Sequence, residues 1–191
     1  MAVRYLTGKE KVLEIGGNIG RNSIVIARIL EDDRNLVSLE SNIQFSNILI
    51  ENKLLNNLHF HVEPSALSKR KLIQHPGCWT THISDHLIED HVWVNTIDLD
   101  QLNQKYNIVF DTLVLDCEGA FYYILMDMPE ILSNIHLIIM ENDYQVFEHK
   151  QYVDEILIKN NFYVDYKECG GWEPMFSSFY EVWKKTIILD K

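Results

Sequence analysis

The stretch Lys11-Val12-Leu13-Glu14-Ile15-Gly16-Gly17-Asn18-Ile19-Gly20-Arg21-Asn22 constrains the fold more than any other part of the chain. Its first half is a short apolar run bounded by glycines, the pattern of a buried parallel strand. Residues 23–30 then open an apolar-periodic segment that reads as a helix. Between the two, Gly16, Gly17 and Gly20 place no Cβ atoms in the turn, so a ligand can approach the backbone closely. The helix N-terminus adds N–H groups and a partial positive charge. Strand, glycine turn and helix in that order make a nucleotide-type site.

Spacing narrows the ligand. A dinucleotide fingerprint needs G-x-G-x-x-G, and here the run G-G-N-I-G brings the third glycine one position early. Glu14, two residues before the first glycine, is a poor neighbour for phosphate and suits a positively charged ligand. S-adenosylmethionine carries a sulfonium and an ammonium, and its ribose hydroxyls need an acceptor. The next strand-like run, 36–39, ends at Glu40, which is 24 residues beyond Gly16. That is about the distance at which a second strand delivers an acidic residue to a ribose.

Charge and cysteine usage exclude some partners. With a formal net charge of −11, the 191-residue chain repels phosphate backbones, so long nucleic acid is not an expected partner. Its three cysteines, Cys78, Cys117 and Cys169, are odd in number and scattered, which fits a reducing, cytoplasmic setting. No apolar run reaches membrane-spanning length, and residues 1–10 lack the pattern of a secretory signal. The length fits one domain, 1–191, with 1–10 as a short lead-in.

Along the chain the pattern predicts a helix over 41–56 capped by Ser41, and a strand over 59–62. Residues 69–91 form an irregular flap, followed by an extended segment at 92–96 and a helix over 98–105. Further strands are predicted at 111–115, 137–140, 162–166 and 178–184, with helices over 120–132, interrupted by Pro129, and 146–159. Strand and helix alternate throughout, so the expected fold is α/β, a doubly wound, mostly parallel sheet. The last two strands lack a crossover helix and should form a C-terminal antiparallel hairpin. Acidic and polar residues stop the apolar strands at Glu14/Gly16, Glu40, Glu63/Ser65, Asp116/Glu118 and Glu141/Asn142. In such sheets ligands bind outside the carboxyl ends of the strands, and one cleft accounts for all five.

At this level of detail the chain resembles the FkbM family of S-adenosylmethionine-dependent methyltransferases, within the class I fold, which implies a seven-stranded Rossmann-like sheet. The matching blocks are Glu14-Ile15-Gly16-Gly17-Asn18-Ile19-Gly20, Ser38-Leu39-Glu40, Ser65-Ala66-Leu67-Ser68 and Val94-Asn95-Thr96-Ile97-Asp98. They continue through Leu113-Val114-Leu115-Asp116-Cys117-Glu118-Gly119-Ala120 to Leu137-Ile138-Ile139-Met140-Glu141, in the family's order. The resemblance implies methyl transfer to a hydroxyl of a sugar, glycan or similar small molecule. It implies that Gly16, Gly17, Asn18 and Gly20 hold the methionine end of the cofactor, with Glu14, Asn22 and Ser41 beside it. Glu40 would accept from the ribose, Ser65 and Ala66 would border the adenine, and Asp116 would sit near the sulfonium and the acceptor. The chain departs from the family at Phe121, where a second Glu is usual, and at Glu14 and Gly17, which replace Asp and Ala.

Methyl transfer from a sulfonium is an in-line displacement, and a sugar hydroxyl needs a base or a metal in the transition state. Asp116 and Glu118 are the base candidates. The other reading of Asp116 is a helix cap or a partner of the cofactor's amino group. Asp116, Glu141 and Asn142 also offer oxygens suited to Mg²⁺. Cys78, His82, His86 and His91 tempt a zinc reading, but their spacing lacks the paired elements that fix such a site. The 69–91 flap is expected over the acceptor, with Trp79 as a stacking face and His82 or His86 nearby. A cofactor-binding protein without catalysis, with Phe121 marking a degraded site, is the alternative function. A nicotinamide oxidoreductase is disfavoured by the glycine spacing.

Overall fold

The computed structural model describes residues 1–186. The fold is α/β, with a mostly parallel seven-stranded sheet and an antiparallel hairpin at its C-terminal end, as the alternation of elements and the resemblance imply. Two compact units divide the chain after Phe110.

The first unit begins with α1 (Ala2–Tyr5), β1 (Val12–Ile15), α2 (Arg21–Ile29), β2 (Leu36–Leu39), α3 (Ile43–Leu55) and β3 (His61–Glu63). Strands β1, β2 and β3 pair in parallel. Every residue of β1 and β2 is buried, which is why both read as near-continuous apolar runs, interrupted by Glu14 and Ser38, rather than alternating ones. The predicted glycine turn lies between β1 and α2, and Gly16, Asn18 and Gly20 all take positive φ, at 95°, 48° and 91°. Helix α3 starts later than predicted. Its N-cap is Asn42, whose Oδ1 accepts from the N–H groups of Gln44 and Phe45 at 2.9 and 3.3 Å, so Ser41 lies one residue outside the cap. Asn caps as well as Ser, and here tertiary contacts select it.

The rest of this unit holds β4 (Ala66–Leu67), β5 (Leu72–Gln74), β6 (Thr81–Ile83), β7 (Val92–Val94), β8 (Thr96–Ile97) and α4 (Leu99–Tyr106). Strand β5 is the centre of a three-stranded antiparallel sheet with β6 and β7, and β4 pairs in parallel with β8. The segment expected to be irregular is mostly so, but it carries two short strands, β5 and β6, and β7 lies in the stretch predicted to be extended. Its strands are three residues long, too short for a period-two pattern to stand out in the sequence. Helix α4 opens with a capping box between Asp98 and Gln101.

The second unit contains β9 (Thr112–Leu115), α5 (Phe121–Asp127), β10 (Leu137–Glu141), α6 (Phe147–Lys159), β11 (Phe162–Glu168) and β12 (Tyr180–Lys185). Strands β9 and β10 are parallel, and β12 runs antiparallel to both β10 and β11. The helix expected over 120–132 ends at Asp127, and a 3-10 turn at Pro129–Leu132 follows, since proline lacks the N–H that would continue it. Lys150 and Glu181 are buried together, 2.9 Å apart, with Asp154 also on the Lys150 ammonium and the Trp183 indole N–H on Glu181 at 3.1 Å.

Candidate functional site

The glycine turn is built on a buried carboxylate. Glu14 lies in the middle of β1 and is 1% exposed. Its carboxylate accepts from Ser23 Oγ, from Ser38 Oγ at 2.6 Å and from Asn22 Nδ2 at 3.1 Å. These donors come from the first turn of α2 and from β2, so Glu14 ties both elements to β1 beneath the turn. The sequence reading set Glu14 beside a positively charged ligand and Asn22 beside the cofactor; in the structure the two pair with each other and Glu14 is buried. Above them, Gly16 and Gly17 donate their N–H groups to Leu39 O at 3.0 and 2.8 Å. Helix α2 then starts from Gly20 without a side-chain cap. Its first-turn amides are suited to an anionic group.

Glu40 follows the last residue of β2. Its Oε2 accepts the Asn18 N–H and its Oε1 the Asn42 N–H, each at 2.7 Å. One carboxylate thus fixes the outer half of the glycine turn and the entry to α3, and its orientation is set in advance. Ser41, between Glu40 and the cap, is half-buried. Ser65 follows β3, and Ala66 opens β4. The Ser65 hydroxyl donates to Glu63 Oε1 at 2.8 Å, and the Ala66 N–H goes to Asn95 O at 2.8 Å. Burial would raise the Glu63 carboxyl, but hydrogen bonds from Lys105, Ser65 and Tyr106 outweigh it and hold it below the ordinary range.

In the second unit four carboxyl groups gather around the ends of β9 and β10. Burial pushes Asp116 up, and burial with the Asp116 charge does the same to Glu118. Glu141 is raised to about 7 by burial and then by Asp116, Asp143 and Glu118. Asp143 is likewise raised to about 7, first by burial and then by Glu118. Its oxygens accept the N–H groups of Glu118 and Gly119 at 2.6 and 2.8 Å. These two residues are both left-handed, at φ 52° and 76°, and Asp143 clasps the turn they make. The sequence reading gave Asp143 no role. Its role depends on a turn 25 residues earlier.

Asp116 and Glu118 therefore stand in one electrostatic cluster, as expected, and Glu141 joins them as a carboxyl tuned near neutrality. Such a group is suited to accept a proton at working pH. The Mg²⁺ expectation does not fit these residues. Asn142 is fully buried and clasps β12, donating through its backbone N–H to Phe179 O and through Nδ2 to Ser178 O, each at 2.6 Å. Its Oδ1 is sealed without a hydrogen-bond partner, whereas Mg²⁺ keeps several waters. Among the described residues no group of three or more His, Cys, Asp or Glu is arranged to hold a metal. Phe121, the departure from the resemblance, is 1% exposed and packs inward from the start of α5.

No family model and no curated protein matches the chain. Solved structures do match along nearly its whole length. An O-methyltransferase from Bacillus cereus in complex with SAH is 17% identical with a TM-score of 0.56, covering 94% of this chain and 76% of its own. Magnesium protoporphyrin IX methyltransferase from Synechocystis PCC 6803 with bound SAM is 10% identical, with a TM-score of 0.56, covering 96% and 74%. The ribosomal protein L11 methylase of Lactobacillus delbrueckii subsp. bulgaricus is 13% identical, with a TM-score of 0.56, covering 97% and 75%. At these identities the likeness is one of fold, a Rossmann-like α/β fold that the chain shares with these structures.

Proposed function

We propose that the chain is an S-adenosylmethionine-dependent O-methyltransferase that acts on a hydroxyl of a sugar, glycan or similar small molecule. The observation that carries this reading is Glu40. A carboxylate at the end of β2, oriented by the Asn18 and Asn42 amides, is suited to ribose hydroxyls. Neighbours of this fold, in complex with SAH and with SAM, support the choice of cofactor. Membership of the FkbM family rests on the motif blocks, above all Asp116-Cys117-Glu118-Gly119-Ala120.

When bound, S-adenosylmethionine supplies an electrophilic methyl group on a sulfonium. The first-turn amides of α2 and the turn Gly16 to Gly20 would hold its methionine end, and Ser65 and Ala66 would border the adenine. Glu141, with Asp116 and Glu118 setting its charge, would serve as the general base for an acceptor hydroxyl; the methyl would pass from sulfur to that oxygen and S-adenosylhomocysteine would leave. Alignment of the two reacting atoms supplies about 7–11 kcal/mol of the barrier reduction. The net charge of −11 favours a small acceptor over nucleic acid, and the three cysteines, free of disulfides, fit the cytoplasm. Among the described residues no helix is long and apolar enough to cross a membrane. The second reading, cofactor binding without transfer, is favoured by Phe121, whose buried ring leaves no carboxylate at that position.

Calorimetric titration with S-adenosylhomocysteine and with NAD⁺, on wild type and Glu40→Ala, tests the cofactor. Micromolar binding of the homocysteine compound alone, much weakened in the variant, is expected. Binding of NAD⁺, or of neither, overturns the proposal. Transfer of labelled methyl to a panel of sugars then separates the enzyme from the binding protein.

A further inference from the structure

We infer that Asn42 is a positioning residue that latches the β5–β6 hairpin to Glu40, so that the hairpin and the nucleoside end of the cofactor site are energetically coupled. This rests on the reading of Glu40 as the ribose-binding carboxylate. Asn42 is 3% exposed and uses three of its groups on three different elements. Its N–H donates to Glu40 Oε1 at 2.7 Å, its Oδ1 caps α3, and its Nδ2 donates to Pro76 O at 3.1 Å.

Pro76 belongs to the tip of the hairpin. The turn is closed by the Cys78 N–H on His75 O at 2.9 Å and by the Gly77 N–H on His75 Nδ1 at 3.2 Å. Gln74, 2% exposed, donates through Nε2 to Trp79 O at 3.1 Å across the same turn. The hydrogen bonds from Cys78 and Gly77 to His75 enclose Pro76 in the turn, so its carbonyl moves with the tip. A shift of the tip is therefore felt at Asn42 Nδ2 and, two residues earlier, at Glu40. The tip carries the exposed indole of Trp79, which the latch holds in place.

The residue type is explained by this double duty. Ser, Thr and Asp cap helices as Asn does, but only the amide adds an N–H donor on the same side chain. Coupling of this kind is reciprocal: what steadies the hairpin strengthens nucleoside binding, and nucleoside binding steadies the hairpin.

Asn42→Ser keeps a capping oxygen and removes the donor to Pro76. Thermal unfolding, amide exchange at Gly77 and Cys78, and titrations with S-adenosylhomocysteine and with adenosine are measured on wild type and variant. The variant is expected to melt within about 2 °C of wild type. Its tip amides exchange faster, and both ligands bind about fivefold more weakly or worse. In wild type, but not in the variant, bound ligand slows exchange at the tip. Unchanged affinity for both ligands, or tip exchange indifferent to ligand in wild type, overturns the latch alone. Wild type that binds neither ligand overturns the reading of Glu40 and the coupling with it. If Asn42→Ser fails to fold, Asn42→Thr, also a capping residue, carries the same test.

Discussion

Gly17 is kept small by Ser38: a Cβ at Gly17 would stand 2.2 Å from Ser38 Oγ. That hydroxyl cannot step aside freely, because it donates to Glu14 and lies 3.1 Å from Ser23 Oγ within a buried cluster. The second obstacle, Leu49 Cδ1 at 2.7 Å, is the far end of a flexible side chain and can yield. Gly17→Ala is expected to destabilise by about 1–3 kcal/mol in denaturant unfolding, the usual range for overpacking a tight site. The same substitution in a Ser38→Ala background is expected to cost less. Equal costs in the two backgrounds would refute the account.

Glu141 makes stability and activity respond oppositely to pH. Its carboxyl is raised from the ordinary carboxylate range to about 7 by burial and by three neighbouring carboxylates. Between its unfolded and folded values the folded chain binds more protons, so stability falls as pH rises through that window. Asp143, also raised to about 7, contributes with the same sign. The melting temperature is expected to drop as pH is raised from about 5 to about 8, and to drop less in Glu141→Gln. Activity is expected to rise through about pH 7 as Glu141 becomes a base, and the variant loses that limb. Superimposable melting profiles for variant and wild type would remove Glu141 from the cluster.

Lys150 neutralises Glu181 inside the second unit. With both groups buried, removing the lysine leaves a buried charge facing Lys167 at 3.7 Å and the Trp183 N–H. Lys150→Met is expected to destabilise by about 3 kcal/mol, the low end for a broken buried pair, because these partners remain. Lys150→Met combined with Glu181→Leu should recover much of the loss. A double variant no more stable than the single one would contradict this electrostatic explanation.

Much of the architecture was legible because it is written locally. Largely apolar runs marked β1, β2, β9 and β10, and Gly16, Gly17 and Gly20 marked the turn that leads into α2. The acidic strand ends were visible too, and Asp116, Glu118 and Glu141 do share one electrostatic environment. The buried network was half legible. Glu14 and Ser38 are polar residues within strands predicted to be wholly buried, and buried polar groups need partners. What the sequence lacked was any sign that they are partners of each other.

The sequence by itself determined the alternation of strand and helix, the position of the glycine turn and the carboxylates that end the strands, since periodicity and chain flexibility are properties of neighbours. Tertiary structure decided what each polar group does. Ser38 meets Glu14 across 24 residues, Asn42 meets Pro76 across 34, and Asp143 meets the Glu118 amide across 25. It also placed two short strands, β5 and β6, where local pattern indicated irregular chain. The physical reason is that a hydrogen bond is specified by the distance and direction between donor and acceptor, which no local period of the chain encodes.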